Sequence, residues 1–268
     1  MKHLNTYITE YIIKKKLNKP IDSEYKYHPQ TKEELIENIE ELLNKKETNL
    51  NCIDTSDITD MSHLFDMSSN KIIKYSLQNI YFDISDWDVS NVKDMSYMFV
   101  NCNRFNCDLS KWDVSNLDNA EMMFCKCKNF EGEGLDKWDI SNITNMRYMF
   151  YVCDKFTGET IENWDVSNVE NMESMFYACI NLDCDLSYWN VSKVEDMEYM
   201  FVSCKNFTGK GLENWNVSNV KDMGAMFANC KNFKCDLSKW NISNVKNMVR
   251  MFYNCNSLKN TPSWYIFI

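Results

Sequence analysis

Twelve cysteines are the residues of this 268-residue sequence best suited to chemistry. Seven of them recur 25 or 26 residues apart: Cys102, Cys127, Cys153, Cys179, Cys204, Cys230 and Cys255. Equivalent thiols about 5 Å apart could form disulfides or a metal array. However, zinc sites usually use paired spacings, and only Cys125 and Cys127 lie close together, with no histidine beside them. The pattern therefore favours buried, reduced thiols over a metal or redox site.

Other catalytic candidates are sparse. The only histidines are His3, His28 and His63, and they precede the regular part of the sequence. Candidate carboxylates and thiols recur many times, whereas an active site is normally unique, and no phosphate-binding G-x-x-x-x-G-K motif occurs. The sequence thus predicts no catalytic, cofactor-binding or metal-ligating residues, and it predicts that the protein is not an enzyme.

The cysteines belong to a longer repeat that contains every tryptophan. The tryptophans are Trp87, Trp112, Trp138, Trp164, Trp189, Trp215, Trp240 and Trp264, at spacings of 24 to 26 residues. A fixed period in this range is typical of stacked repeat proteins. We number positions within each unit from its tryptophan, which is position 0.

Apolar positions within the unit predict its secondary structure. Leu or Ile at −3, Trp at 0 and Val or Ile at +2 alternate as in a short strand. Ser at +3 and Asn at +4 favour a turn and a helix cap, and apolar residues at +5, +8, +11 and +12 match one face of a short helix. The expected fold is an α/β repeat solenoid, with one short strand and one short helix per unit. Tryptophan, Met-Phe and cysteine positions are all expected in its core.

Outward residues of the predicted strands, at −1 and +1, form a candidate partner-binding face. Position +1 carries Asp in four units and then Asn in three, so it either binds a cation or a cationic partner or bonds to its own turn, and the change to Asn favours the turn. The candidate residues are Asp88, Asp113, Asp139, Asp165, Asn190, Asn216, Asn241, Lys111, Lys137, Tyr188 and Lys239.

Two regions are expected. Residues 1–51 form a helical segment and cap, with an amphipathic pattern from Leu4 to Leu17, a linker from Pro20 to Pro29, and a second helix from about Thr31 to Lys46 with a Thr31/Glu34 capping box. Residues 52–268 form the solenoid, beginning with a degenerate unit at Ile53 and ending with a strand at Trp264. An insertion between Asp66 and Asp83 is either a binding loop or a tolerated surface loop.

Charge and hydropathy limit the partners. The net charge is −10, with nine Lys/Arg and nine Asp/Glu in residues 1–51 and 20 against 30 in the remainder. An acidic surface of this kind disfavours nucleic acid. No apolar run is long enough to span a membrane, and no signal peptide is recognised, so the sequence predicts a cytoplasmic location with reduced cysteines.

The long repeated motif Val-x-x-Met-x-x-Met-Phe-x-x-Cys-x-x-Phe, followed by Leu-Ser-x-Trp-Asp-Val-Ser-Asn-Val, resembles BspA-like leucine-rich-repeat surface proteins. It is most similar to the branch of unknown function first catalogued in mycoplasma lipoproteins, over residues 52–268. The resemblance implies a leucine-rich-repeat-like solenoid that binds or adheres. The sequence departs from it in lacking a lipoprotein cysteine near its start.

Two functional hypotheses follow. The first is a non-catalytic module that binds another protein through the −1 and +1 positions. The second is a structural or assembly component, such as a virion, phage or homo-oligomer part, that uses its amino-terminal helix and the edge at Trp264–Ile268.

Overall fold

The computed structural model describes residues 25–68 and 80–266. The amphipathic segment from Leu4 to Leu17, the start of the linker, most of the insertion and the last two residues lie outside this description. Within it, one α-helix precedes a long array of turns.

Helix α1 spans Lys32–Asn44 and confirms the predicted second helix. The Thr31 hydroxyl accepts a hydrogen bond from the Glu34 amide at 3.2 Å, and the Glu34 carboxylate accepts one from the Gln30 amide at 2.7 Å. These bonds satisfy amides at the open helix start. The inner face of α1 is buried and consists of Leu35, Ile39, Leu42 and Leu43.

After α1, the described residues contain three 3₁₀ helices and isolated parallel bridges, with no further α-helix or extended strand. The 3₁₀ helices are Leu135–Lys137, Glu159–Ile161 and Leu212–Asn214. The bridges within the array join position +7 of each unit to position +7 of the next, at Asp60, Asp94, Asn119, Asn145, Asn171, Asp196, Asp222 and Asn247. Each unit therefore stacks on its neighbour in parallel and in constant register.

The structure differs from the predicted strand and helix within each unit. Positions −3 to +2 form no bridge to the neighbouring unit. From +8 to +15 the chain makes consecutive turns, as in the bonds Met98 N–H to Met95 O and Cys102 N–H to Phe99 O. Positions +10 and +14 have positive φ, for example 60° at Tyr97 and 64° at Asn101, which a right-handed helix does not contain. The predicted helix does not form because alternate amides donate to the next unit and not to residue i−4.

The predicted core is confirmed. Every tryptophan from Trp87 to Trp240 is buried, and each indole N–H donates to the backbone carbonyl at −3 of the preceding unit, as Trp164 does to Leu135 at 2.8 Å. The phenylalanines at +12 form a continuous stack with neighbouring ring centroids 5.5 to 5.8 Å apart. The core thus runs the length of the array.

Return loops of two lengths explain the alternating period. In the longer form Gly134 and Gly211 have φ of 88° and 91°. A Cβ on Gly134 would lie 2.1 Å from the Ser110 amide nitrogen of the preceding unit, so both conformation and space require glycine. Thr160 occupies the corresponding position in the third long loop, and its Oγ1 is a buried side-chain atom without a hydrogen-bond partner among the described residues.

The two ends of the array differ, and we call them the head and the tail. The head comprises residues 25–67, where Ile53 is buried in the tryptophan's place and Tyr27 bridges to it. The tail comprises residues 240–266. Trp264 keeps the register, since its indole donates to the Leu237 carbonyl at 3.0 Å, but residues 264–266 form no strand and Ile266 is exposed.

Candidate interaction surface

The repeated cysteines are structural. Each thiol at +15 donates to the backbone carbonyl of the phenylalanine at +12 in the preceding unit, at 2.8 to 3.2 Å. All twelve cysteines are free, and the described residues contain no group of His, Cys, Asp and Glu able to hold a metal ion. Burial raises the pKa of Cys179 to about 12, so it carries almost no reactive thiolate at neutral pH.

Position +1, the centre of the predicted binding face, is used by its own turn. Each Asp or Asn there accepts the backbone N–H of the serine two residues later, at 3.0 to 3.2 Å. The bond is the same for Asp and Asn, which agrees with the interpretation that the position needs an oxygen acceptor and not a charge. Asp88 is half-buried, and the other six are exposed.

Position −1 is exposed and chemically mixed. Lys111 forms an ion pair with Asp86, and Lys137 one with Asp136 at 2.7 Å. Tyr188 is 76% exposed, and Lys239 is exposed beside the tail. The candidate residues at −1 and +1 therefore remain accessible, but they do not form the outer face of a sheet, because the bridges lie at +7.

A second surface follows the bridges themselves. It consists of the half-buried and exposed side chains at +9 and +10 together with the tyrosines at +13, and we call it the ladder face; the other described side chains at +13 are buried. Arg147 is at its centre: its guanidinium contacts Glu173 on the next unit at 2.6 and 3.3 Å and Glu121 on the preceding unit at 3.5 Å. Tyr148 donates to Glu173 at 2.9 Å and lies beneath the Arg147 guanidinium. The ladder face can therefore hold a cation between carboxylates of successive units.

Tyrosines extend the ladder face on both sides of this cluster. Tyr97 donates to Glu121 at 3.2 Å and stacks on the His63 ring, with centroids 4.5 Å apart. Tyr151 and Tyr177, at +13, stack on each other at 4.8 Å. Aromatic rings with a polar tip suit protein interfaces, because they bury apolar area while keeping a hydrogen bond.

Beyond Arg147 the ladder face is acidic at Glu173 and Glu198, next to the +7 side chains Asp196 and Asp222. Burial, with the nearby charges of Glu173 and Asp222, raises the pKa of Asp196. Burial and the charge of Asp222 also raise the pKa of Glu198. Neither Asp196 nor Glu198 forms an ion pair with a Lys or Arg among the described residues, so this stretch favours contact with positive charge.

Sequence reasoning did not find the ladder face, although a signal exists. Positions +8, +11 and +12 are almost constant, whereas +9 between them carries Ser96, Glu121, Arg147, Glu173, Glu198, Gly224 and Val249. Variation between fixed core positions indicates exposure to solvent or to a partner. The helix prediction obscured the significance of this variation, because it placed +9 and +10 on an outer helix surface away from any sheet.

A comparison of the sequence with models of protein families supports the repeat described above. The family described as "Mycoplasma protein of unknown function, DUF285" matches residues 33–134, 122–211 and 189–266. The chain belongs to this family. The three matches overlap, as expected for a DUF285 segment that spans several stacked units, and the first begins inside α1. No curated protein matches the chain.

Helix α1, with its 13 residues, is the only α-helix described, and no described helix is long and apolar enough to cross a membrane. For this DUF285 protein the family assignment supplies no activity. A functional conclusion must therefore come from the surfaces of the array.

Proposed function

We propose that this protein is a non-catalytic module that binds another protein through the ladder face, built as a leucine-rich-repeat-like solenoid of the BspA-like type. The observation that carries the proposal is the ladder face itself. Its side chains vary from unit to unit, while the tryptophans, phenylalanines and thiols of every unit are engaged in the core.

Size and chemistry support this proposal. Residues Asp94 to Asn247 mark seven consecutive units, which at about 4.8 Å per unit extend roughly 30 Å, enough for a protein interface. Arg147, the tyrosines and the carboxylates are residue types that give specificity in interfaces. The seven thiols at +15 are poor candidates for catalysis, since they are buried hydrogen-bond donors. Twelve free cysteines also fit a compartment that keeps thiols reduced.

The hypothesis that copies of this chain assemble head to tail receives less support. Helix α1 buries four apolar side chains and places the Lys32 ammonium 3.2 Å from Asp60 and 2.7 Å from the Ser62 hydroxyl of the first unit. A second copy stacked on the head would have to displace these contacts. We therefore prefer the binding module.

A comparison of two double variants tests the proposal. Glu173→Ala with Glu198→Ala changes the ladder face, whereas Asp139→Asn with Asp165→Asn changes the predicted −1/+1 face and keeps its turn acceptors. Proteins retained by the wild-type chain from a lysate of the source cells are identified by quantitative mass spectrometry. We expect a retained protein to be lost with the ladder-face variant and kept with the other.

Equal retention by both variants would overturn the ladder-face proposal. Loss with only the Asp→Asn variant would assign binding to the −1/+1 face. Circular dichroism and thermal unfolding of each variant distinguish the loss of a binding surface from the loss of the folded structure.

A further inference from the structure

Hydrogen bonding between units has one direction from +8 to +14. At every interface the amides at +8, +10, +12 and +14 donate to the carbonyls at +7, +9, +11 and +13 of the next unit. All four bonds are present at all seven interfaces, from the Ile53 unit to the Trp240 unit, with lengths of 2.6 to 3.3 Å. In this stretch each unit presents donors towards the tail, whereas at +6 the amide donates back to the +6 carbonyl of the preceding unit, as Lys246 does to Lys221 at 2.7 Å.

The tail leaves this pattern open. The corresponding amides of the last full unit, at Met248, Arg250, Phe252 and Asn254, have no backbone acceptor among the described residues. Their counterparts one unit earlier, Met223, Ala225, Phe227 and Asn229, are all paired. A row of unpaired main-chain donors can serve as a template for pairing with another chain, so this edge can take an incoming acceptor.

Apolar side chains accompany the open donors. Val249, Tyr253 and Ile266 are 56%, 62% and 73% exposed, although large apolar residues elsewhere in the array are mostly buried. A small cavity of about 190 Å³ lies beside them, between Val245–Val249 and Tyr265–Ile266. The edge thus offers both main-chain donors and apolar contact area, the combination used when a segment adds to an exposed sheet edge.

Charge distinguishes the tail from the rest of the array. Residues 231–268 contain six Lys/Arg and one Asp, whereas residues 52–230 contain 14 Lys/Arg and 29 Asp/Glu. Lys246 and Arg250, both exposed, lie on the open unit itself. A partner for this edge should therefore be acidic.

The choice of partner also depends on what a second copy of the chain could offer. Two tails would bring the positive charges of Lys246 and Arg250 of both copies together, so their pairing is disfavoured. The head of a second copy presents acceptors, but α1 and its Lys32 contacts cover that end. The occupant must bring free carbonyls from elsewhere.

We propose that the tail is a docking edge for an acidic polypeptide segment of a partner protein, which extends the array by one unit. Carbonyls of the segment accept from Met248, Arg250, Phe252 and Asn254, and its carboxylates approach Lys246 and Arg250. Val249, Arg250 and Tyr253 are the ladder-face positions of this last unit, whereas Glu198 and Glu173 lie two and three units earlier, so binding at either place can fail without the other.

Two peptides copied from the chain provide matched probes. Residues 166–180 and 242–256 occupy the same unit positions, +2 to +16, and share the Met-Phe-Tyr core, but the first contains Glu170 and Glu173 and the second Lys246 and Arg250. Each peptide, acetylated and amidated, is titrated into the full chain under reducing conditions. We expect the acidic peptide to bind roughly tenfold more tightly or better, since two exposed ion pairs contribute up to about fivefold each.

Amide hydrogen exchange then tests whether the bound peptide pairs with the edge. We expect slower exchange at Met248, Arg250, Phe252 and Asn254, with no change at the already paired Met223 to Asn229. The variant Lys246→Glu should weaken binding of the acidic peptide about tenfold. Lys93→Glu is the matched control, because Lys93 occupies in an interior unit the position that Lys246 occupies in the tail.

Three outcomes would overturn the proposal. These are no binding of the acidic peptide, equal binding of the two peptides, and binding without protection of the four amides. Concentration-dependent self-association of the chain alone, abolished by Lys246→Glu, would also overturn it, because the occupant would then be a second copy. None of these results bears on the interior part of the ladder face, which the Glu173 and Glu198 variants test.

Discussion

The head and the tail of the array are built from the same unit, yet they meet solvent in different ways. At the head, α1 covers the first unit with four buried aliphatic side chains and a charged contact from Lys32. At the tail, four main-chain donors lack acceptors among the described residues, and three large apolar side chains are exposed. The comparison teaches that a stacked array needs a different structure to close it, and that at an uncovered end the main-chain donors from +8 to +14 are left without acceptors.

The largest expected difference between the two ends comes from shortening one isoleucine side chain at each end. Ile39→Ala in α1 should lower the free energy of unfolding of the head by about 3 kcal/mol, because Ile39 is fully buried and its loss leaves a cavity. Ile266→Ala should change it by less than about 0.5 kcal/mol, because the side chain is mostly exposed. Urea unfolding with amide exchange of residues 35–67 measures both. Similar effects would show that the tail is closed as firmly as the head.

A second pair compares an interior unit with the tail. Trp164→Phe should cost about 2 kcal/mol, because the buried Leu135 carbonyl loses its indole donor and the smaller ring leaves space. Trp264→Phe removes the equivalent bond to Leu237 at a half-buried position, so about 1 kcal/mol is expected. Denaturant midpoints of the two variants check the ranking, and a reversed ranking would contradict the described tail.

Thiol reactivity sharpens the same contrast. Burial raises the pKa of Cys255 to about 11, and it raises the pKa of the wholly buried interior Cys153 as well. Alkylation of Cys255 by iodoacetamide should therefore accelerate about tenfold per pH unit between pH 7 and 10, since the thiolate is the nucleophile. Cys153 should react at least about tenfold more slowly, a difference of roughly 1.4 kcal/mol in barrier. Mass spectrometry of the native chain, with urea-unfolded chain as the control, gives both rates.

The smallest effect concerns the acidic middle of the ladder face, opposite in charge to the tail. The pKa of Asp196 is raised on folding, so its ionisation opposes the fold, and stability declines as pH rises through that raised pKa. Asp196→Asn should raise stability at pH 7 by about 0.5 kcal/mol, after allowance for solvent screening, and the gain should disappear at pH 3. Asn171, one unit earlier, shows that Asn can accept the same turn bond.

Thermal unfolding at the two pH values measures this effect, with Asp94→Asn as the control at the same unit position. A gain that persists at pH 3 would mean that charge is not its cause.

Much of the interior was predictable because it depends on residue type and period alone. The Thr31 cap, the stripe of α1, the buried tryptophans and the buried thiols follow from spacing and apolarity, and each is present in the structure. The conformation within each unit was not predictable in the same way. Apolar residues at +8, +11, +12 and +15 fit a helix and a run of turns equally well, because both bring every third or fourth residue to one side.

The helix and the run of turns differ in which carbonyl oxygen accepts the hydrogen bond of each backbone amide. Positions +10 and +14 adopt positive φ at residues such as Tyr148 and Val152, which is unfavourable for a single chain segment. Hydrogen bonds to the next unit offset this cost, and they exist only once the units are stacked. Asn101, Asn229 and Asn254 at +14 were a weak local indication, since Asn tolerates this conformation better than most residues.

The ladder face was missed for the same reason. A contact such as that of Arg147 with Glu121 and Glu173 joins residues 26 positions apart, and it depends on the register of the bridges. The exposure of −1 and +1 was predicted, but no sheet lies beneath these positions in the described residues. The parallel bridges between units lie at +7 instead.

The amino-acid sequence by itself determined the period, the core positions and the capped helix, because these depend on the kind and spacing of side chains. Tertiary structure alone decided the turn conformation of each unit, the ladder face and the donor edge at the tail. These depend on where backbone amides find acceptors, and in this array the acceptors lie in the neighbouring unit.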